Sequence, residues 1–159
     1  MQKTIKENCK PKGRFKIKTY KAGTKELLRE SDWINNKVVS SNGYGRNLIL
    51  QALAGLTTYP IAITKAKIGT GTTAAADSDT DLETAVATIN SVASFAISGA
   101  AYNILTLSFF ISDTDLTDGT YNEFGLFAVN QMFSRAIISG GYVKGTGEDT
   151  TIDYEITYS

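Results

Sequence analysis

The residue best placed for chemistry is Glu123, a carboxylate in an otherwise apolar segment. Burial would raise its pKa, as in the acid of a glycosidase, and Asp113, Asp115 or Asp118 could supply the second carboxylate. The alternative is a structural carboxylate that accepts hydrogen bonds from neighbouring backbone or from Arg135. We favour the structural role because no spacing in the sequence fixes the second carboxylate.

A second group of carboxylates alternates along the chain at Asp77, Asp79 and Asp81. This spacing is that of the first ligands of a calcium loop, but an EF-hand needs glycine at the sixth place and glutamate at the twelfth. Leu82 and Thr88 occupy those places. We therefore predict no metal site and interpret the segment as an acidic turn or the N-terminal cap of a short helix.

Other catalytic systems lack their essential residue types. The chain has no histidine, which excludes Ser-His-Asp and Cys-His nucleophiles, and Cys9 has no base to activate it. The run from Gly69 to Thr73 resembles a phosphate-binding loop, but it lacks the third glycine of a dinucleotide fingerprint and the Gly-Lys-Ser/Thr ending of a P-loop. We predict no catalytic residues and no cofactor, and interpret these glycines as a turn with positive φ angles.

The elements that position these residues are predicted to be mainly β-strands. Side chains alternate between polar and apolar from Arg14 onward and again in residues 150–158, as in strands with one solvent-exposed face. Further strands are predicted near 27–28, 37–39, 61–68, 88–98, 102–112, 122–129 and 132–143. One helix is predicted at about 43–55, capped by residues 41–43 and stopped by Gly55. The predicted fold is a single antiparallel β-sandwich domain over residues 14–159.

Charge is divided unevenly along the chain although the net charge is zero. Residues 1–67 hold 14 of the 16 basic residues and 4 of the 16 acidic ones. Such a division favours complementary surfaces between subunits, unless the two halves interleave in one sandwich and neutralise each other. No apolar run reaches the roughly 18 residues of a membrane span, so we expect no membrane partner.

Residues 1–13 are basic and lack periodicity, which predicts an extended N-terminal arm. We predict that the arm and the strand after it contact neighbouring subunits. The predicted assembly contacts are Lys3, Lys6, Lys10, Lys12, Arg14, Lys16 and Lys18. Residues 16–25 could instead follow a phosphate backbone, but a nucleic-acid partner is disfavoured because no binding motif is present and the rear half is acidic.

Several short phrases follow one another in a fixed order along the chain. They are residues 42–49, 68–73, 79–82, 123–127, 132–136, Lys144 and 152–156. They include Glu123, Phe124 and Gly125, which we interpret as a packing motif together with Arg135. Taken in order, the phrases resemble a pattern of tailed-bacteriophage virion proteins. The resemblance is to small tail, collar and baseplate-associated proteins and to the anchoring parts of tail fibres, and it covers about residues 40–159.

The resemblance implies a β-rich, non-enzymatic subunit of the virion that forms a homo-oligomer and attaches to other virion proteins. A capsid decoration or head-fibre protein is the alternative within this class. A carbohydrate-binding module is an alternative of another class, because the aromatic faces of Tyr44, Tyr59, Tyr102 and Tyr121 could stack on sugars. Tyrosine as an amphipathic strand residue is the simpler interpretation.

Overall fold

A computed structural model describes residues 10–159. These residues form a sandwich of two antiparallel sheets with one short helix, which confirms the predicted fold class. The elements are β1 (Pro11–Lys21), β2 (Leu27–Glu30), β3 (Ile34–Asn35), β4 (Lys37–Val38), α1 (Arg46–Leu53), β5 (Lys65–Gly69), β6 (Ala85–Ile89), β7 (Ser94–Ser98), β8 (Ile104–Ile111), β9 (Gly119–Ala128), β10 (Gln131–Lys144) and β11 (Glu148–Tyr158).

The first sheet has the strand order β2-β1-β11-β8-β7, with β3 also paired to β1. The first and last long strands are therefore neighbours, and Pro11 to Lys21 pair without interruption with Tyr158 to Glu148. Along β1 every second side chain from Phe15 to Thr19 is buried, as the alternating sequence predicts. This register gives the sheet one apolar face and one charged face.

The second sheet has the order β4-β10-β9-β5-β6 and packs its apolar face against the first. The ring centroids of Phe15 on β1 and Phe124 on β9 lie 4.8 Å apart across the interface. Tyr154 on β11 is fully buried beside them, and its hydroxyl lies 2.6 Å from the Ser134 hydroxyl of β10. Aromatic burial and a satisfied hydroxyl therefore join the two sheets at their centre.

The helix is shorter than predicted and begins later. It starts after Gly45, whose φ is 53°, and no side chain caps it, so the predicted cap at residues 41–43 is wrong. A Cβ at Gly45 would lie 1.9 Å from the carbonyl oxygen of Val39, which explains why glycine holds this corner. The predicted stop is correct, since Gly55 has φ 70° and donates its N–H to the carbonyl of Ala52.

Two predicted boundaries are also wrong. The arm was expected to reach Gly13, but β1 already begins at Pro11 and pairs with the end of β11; residues 1–9 lie outside the described part of the chain. The predicted strand at residues 88–98 is two strands in different sheets, β6 and β7. Four residues between them carry the chain from one layer to the other.

The two oppositely charged halves of the chain interleave. The basic strand β1 lies beside the acidic strand β11, where Arg14 contacts Glu155 at 2.8 Å and Lys18 contacts Asp153 at 2.7 Å. These two pairs neutralise part of the charge division within one ladder, and Arg29, Lys37, Arg46 and Lys67 also contact carboxylates of the acidic half. Among residues 10–159, no helix is long and apolar enough to cross a membrane.

Candidate functional site

The centre of the candidate site is Glu123 on β9, whose side chain is completely buried. Its Oε1 accepts the N–H groups of Gly71 at 3.0 Å and Thr84 at 2.7 Å. Its Oε2 accepts the N–H of Glu83 at 3.0 Å and the Nε–H of Arg135 at 2.9 Å. Backbone and Arg135 are the partners that the structural interpretation of the sequence assigned to this carboxylate, and both of its oxygens are fully engaged.

Arg135 reaches Glu123 from the neighbouring strand β10 and is 3% exposed. Its Nη1 donates to Asp79 at 2.9 Å, and its Nη2 lies 2.9 Å from Glu123 Oε2 without hydrogen-bond geometry and 3.6 Å from Glu83. Burial lowers the pKa of the guanidinium, but the hydrogen bonds to Asp79 and Glu123 outweigh it, so the net pKa is raised. Asp79, Glu83, Glu123 and Arg135 are called the ionic cluster below.

Glycines make room for the ionic cluster, and this corrects the interpretation of residues 69–73. Neither Gly69 nor Gly71 has a positive φ. A Cβ at Gly69 would lie 2.3 Å from the carbonyl oxygen of Thr84, and a Cβ at Gly71 would lie 2.5 Å from Glu123 Oε1. The glycines are needed because a carboxylate and a second turn approach their backbone closely, not because of a left-handed conformation.

The geometry favours a structural role for Glu123 over that of a glycosidase acid. A catalytic acid must reach a bound substrate, whereas Glu123 has no exposed surface and each of its oxygens accepts two donors. Two of the proposed partner carboxylates, Asp113 and Asp118, contact Lys144 instead. The third, Asp115, accepts the hydroxyl of Ser112 at 2.6 Å.

The three alternating aspartates point to three different sets of cations. Asp77 lies 3.6 Å from Lys37 and 3.3 Å from Arg46, and Asp81 lies 2.7 Å from Lys67. Asp79 belongs to the ionic cluster. Within residues 10–159 no group of three acidic, histidine or cysteine side chains could hold a metal ion. The segment is an acidic turn, as expected, although no helix follows it.

Sequence reasoning missed a second buried cation, Lys144. Its side chain is 1% exposed, and its Nζ contacts Asp113 at 2.5 Å and Asp118 at 3.0 Å. Burial lowers the pKa of Lys144, but the hydrogen bonds to the two aspartates outweigh burial, so its net pKa is raised. The hydrogen bond from Lys144 in turn lowers the pKa of Asp113, and hydrogen bonds from Thr146 and then Lys144 lower that of Asp118. The sequence did contain a signal for this site, because basic residues are rare after residue 67. Arg135 and Lys144 are the two that occur there, and both are buried among carboxylates.

The predicted assembly contacts lie along the start of β1. Lys3 and Lys6 lie outside the described residues, and Lys10 and Lys12 are exposed. Arg14, Lys16 and Lys18 each contact a carboxylate of the same chain, at 2.8, 2.5 and 2.7 Å. The charges of these three residues are therefore compensated, and a contact with a neighbouring subunit through them stays a prediction.

The four tyrosines proposed for sugar binding do not all face solvent. Tyr121 is 2% exposed, and its hydroxyl donates to the carbonyl of Thr117 at 2.7 Å. Tyr44 packs on a small buried cluster, and the ring of Tyr59 covers Gly43. Tyr102 alone of the four is largely exposed. A stacking platform built from all four rings is therefore wrong, because one ring belongs to the core.

Comparison with known proteins gives no relative for this architecture. No family model matches the chain, and neither a curated protein nor a solved structure matches it significantly.

Proposed function

We propose that the protein is a non-enzymatic structural subunit of a tailed-bacteriophage virion, which self-associates and attaches to neighbouring tail, collar or baseplate proteins. One observation carries the proposal. Four of the seven phrases that resemble virion proteins meet at the ionic cluster although they are distant in sequence, namely residues 68–73, 79–82, 123–127 and 132–136. A set of short phrases that come together in space is more specific than the same phrases taken one at a time.

The convergence can be followed contact by contact. Gly71, from the glycine-threonine phrase, donates its N–H to Glu123 at 3.0 Å. Asp79, from the aspartate phrase, contacts Arg135 at 2.9 Å, and a Cβ at Gly125 would lie 2.8 Å from a methyl carbon of Leu82. The phrases thus specify one way of joining two turns to β9 and β10.

The non-enzymatic part of the proposal is supported by how the buried charges are used. In the ionic cluster the guanidinium of Arg135 is shared between Asp79 and Glu123, and Glu123 is saturated with donors. Lys144 likewise bridges two aspartates. Buried charges that satisfy each other hold turns in place, and the groups of these two clusters are not free to exchange protons with a substrate.

The proposal is tested by locating the chain in particles. Antibodies raised against the purified protein are applied to intact particles of the phage that carries this gene, and the label is located by electron microscopy. We expect label at the tail, the collar or the baseplate. Label over the head facets would replace the tail assignment with a capsid decoration or head-fibre protein. Particles that contain none of the chain by mass spectrometry would refute a virion role.

A further inference from the structure

The two sides of the sandwich end in edge strands of contrasting chemistry. On one side the edges are β2 and β4, which are four and two residues long and carry Arg29, Glu30 and Lys37. On the other side the edges are β6 and β7, five residues each, joined by a four-residue connection. We call the β6 and β7 side the open flank.

The open flank carries no charge at all. From Thr84 to Ser112 the chain contains no lysine, arginine, aspartate or glutamate. Proteins usually protect an exposed edge strand with a charge, a proline or a bulge, because its unpaired N–H and C=O groups can pair with another strand. The short, charged strands β2 and β4 have such protection, and β7 has none. An uncharged, unprotected edge is expected where another strand covers it.

Apolar side chains on β7 extend the core beyond the facing sheet. Phe95 lies opposite Leu107 of β8 and Ile97 lies opposite Leu105, so both share the inward face of the first sheet. Phe95 is nevertheless 76% exposed and Ile97 65% exposed. Next to Ile97 is an apolar cavity of about 230 Å³ that Tyr102 also lines. The open flank therefore presents both an unpaired strand edge and exposed apolar side chains.

The sequence of β7 indicates which strand covers this edge. Residues Ser94 to Ser98 form a near-palindrome, Ser-Phe-Ala-Ile-Ser, centred on Ala96. In an antiparallel pair of two identical strands centred on Ala96, each Phe95 lies opposite the Ile97 of the other copy, and each Ser94 opposite the other Ser98. Two such edges bring no like charges together and match apolar to apolar and hydroxyl to hydroxyl.

We propose that β7 pairs antiparallel with β7 of a second copy about a two-fold axis at Ala96, which joins the first sheets of two chains into one continuous sheet. This inference rests on the proposed role as an assembly subunit and supplies its self-association surface. A two-fold interface needs a self-complementary patch, and the near-palindrome provides one. The partner is a second copy of this chain and not a different protein.

The register makes the proposal testable by disulfide trapping in a Cys9→Ser background, which removes the native cysteine. Directly opposite residues of an antiparallel pair have Cα atoms about 4.5–5.5 Å apart, within disulfide range. Ala96→Cys should therefore form a covalent dimer under mild oxidation. Ser94→Cys alone is the matched control, because two copies of residue 94 would be about 13 Å apart. Adding Ser98→Cys to Ser94→Cys should restore the cross-link.

Sedimentation of the purified chain gives the second readout. We expect a dimer, and we expect Phe95→Lys with Ile97→Lys to weaken it at least about tenfold, since central apolar contacts dominate such interfaces. Phe110→Lys is the control for adding a lysine, because Phe110 is 51% exposed on the other face of the first sheet. Circular dichroism verifies that each variant is folded.

Three outcomes would overturn the pairing: a monomeric wild-type chain at about 0.1 mM, well above the micromolar range of specific complexes; cross-linking at residue 94 as strong as at residue 96; or a dimer that the two lysines leave unchanged. These measurements use the purified chain and no particle. A failure here leaves the labelling of particles standing, and absence from particles leaves the dimer standing.

Discussion

Glu123→Gln is the substitution that most directly tests the structural role of the ionic cluster. Glutamine has nearly the same shape as glutamate, but one of its two terminal atoms is an NH₂ group that donates hydrogen bonds. Oε1 of Glu123 faces two N–H donors, and Oε2 faces one N–H and Arg135. Whichever way the amide turns, its NH₂ group faces two donors.

The expected loss of stability follows from this geometry. Each orientation of the amide leaves two buried donors without an acceptor, at a cost of about 1–3 kcal/mol each. The substitution also removes the negative charge that Arg135 contacts in a site with no solvent access, and breaking a buried ion pair costs about 3–5 kcal/mol. The two figures describe the same loss. We expect the free energy of unfolding to fall by about 3–5 kcal/mol.

Urea denaturation measures this loss. For a slope of about 2 kcal/mol per molar urea, the midpoint should fall by about 1.5–2.5 M. The matched control is Glu30→Gln, which breaks the partly exposed pair with Lys16 and should cost about 1 kcal/mol or less. In a cycle with Arg135→Gln, the double variant should lose about 1–3 kcal/mol less than the sum of the single losses. A midpoint for Glu123→Gln like that of the control would refute the reasoning.

Three further predictions concern the glycines, the acid response and the N-terminal segment. Gly69→Ala should destabilise the fold by about 1–3 kcal/mol, because the new Cβ would lie 2.3 Å from a backbone carbonyl oxygen, whereas Gly119→Ala, with nothing within 4 Å, should be nearly neutral in the same urea assay. The hydrogen bonds from Arg29 lower the pKa of Glu148 from 4.5 to about 2 against the opposing effect of burial, so this carboxylate stabilises the fold above about pH 4.5 and loses that effect as the pH falls towards 2. The difference between the urea midpoints of wild type and Glu148→Gln should therefore narrow as the pH falls from about 6 to about 3, and a constant difference would contradict the assignment. Deletion of residues 1–9 should leave the sandwich folded, since Pro11 to Lys21 make the pairs of β1 with β11, while incorporation into particles falls; normal incorporation would exclude the arm from the assembly contacts.

The fold class was predictable because its signal is local. In β11, Ile152, Tyr154 and Ile156 alternate with polar residues, and all three are buried in the sandwich. A period of two needs only neighbouring residues to be recognised. The division of residues 88–98 between two sheets was not predictable in this way, because the alternation gives the faces of a strand but not the sheet to which it belongs.

The candidate site was only partly predictable for a related reason. The choice of backbone and Arg135 as partners for Glu123 followed from a rule about buried carboxylates. The role of Gly69 and Gly71 depends on a carboxylate 52 residues beyond Gly71, and no local pattern shows that approach. Composition near the glycines favoured a turn with positive φ, and a contact distant in sequence determined the actual requirement.

The charge division leads to a final prediction about salt. Pairing of β1 with β11 places Arg14 beside Glu155 and Lys18 beside Asp153, so opposite charges that could have joined two subunits already neutralise each other within one chain. The flank left for self-association has no charge between Thr84 and Ser112. Assembly through complementary charges would weaken as salt rises from about 0.05 to about 0.5 M, because surface charges are screened. The affinity of a dimer paired through Phe95 and the edge of β7 should instead be unchanged by salt. Dissociation of the dimer at high salt in sedimentation experiments would therefore indicate that the charged strands form the interface.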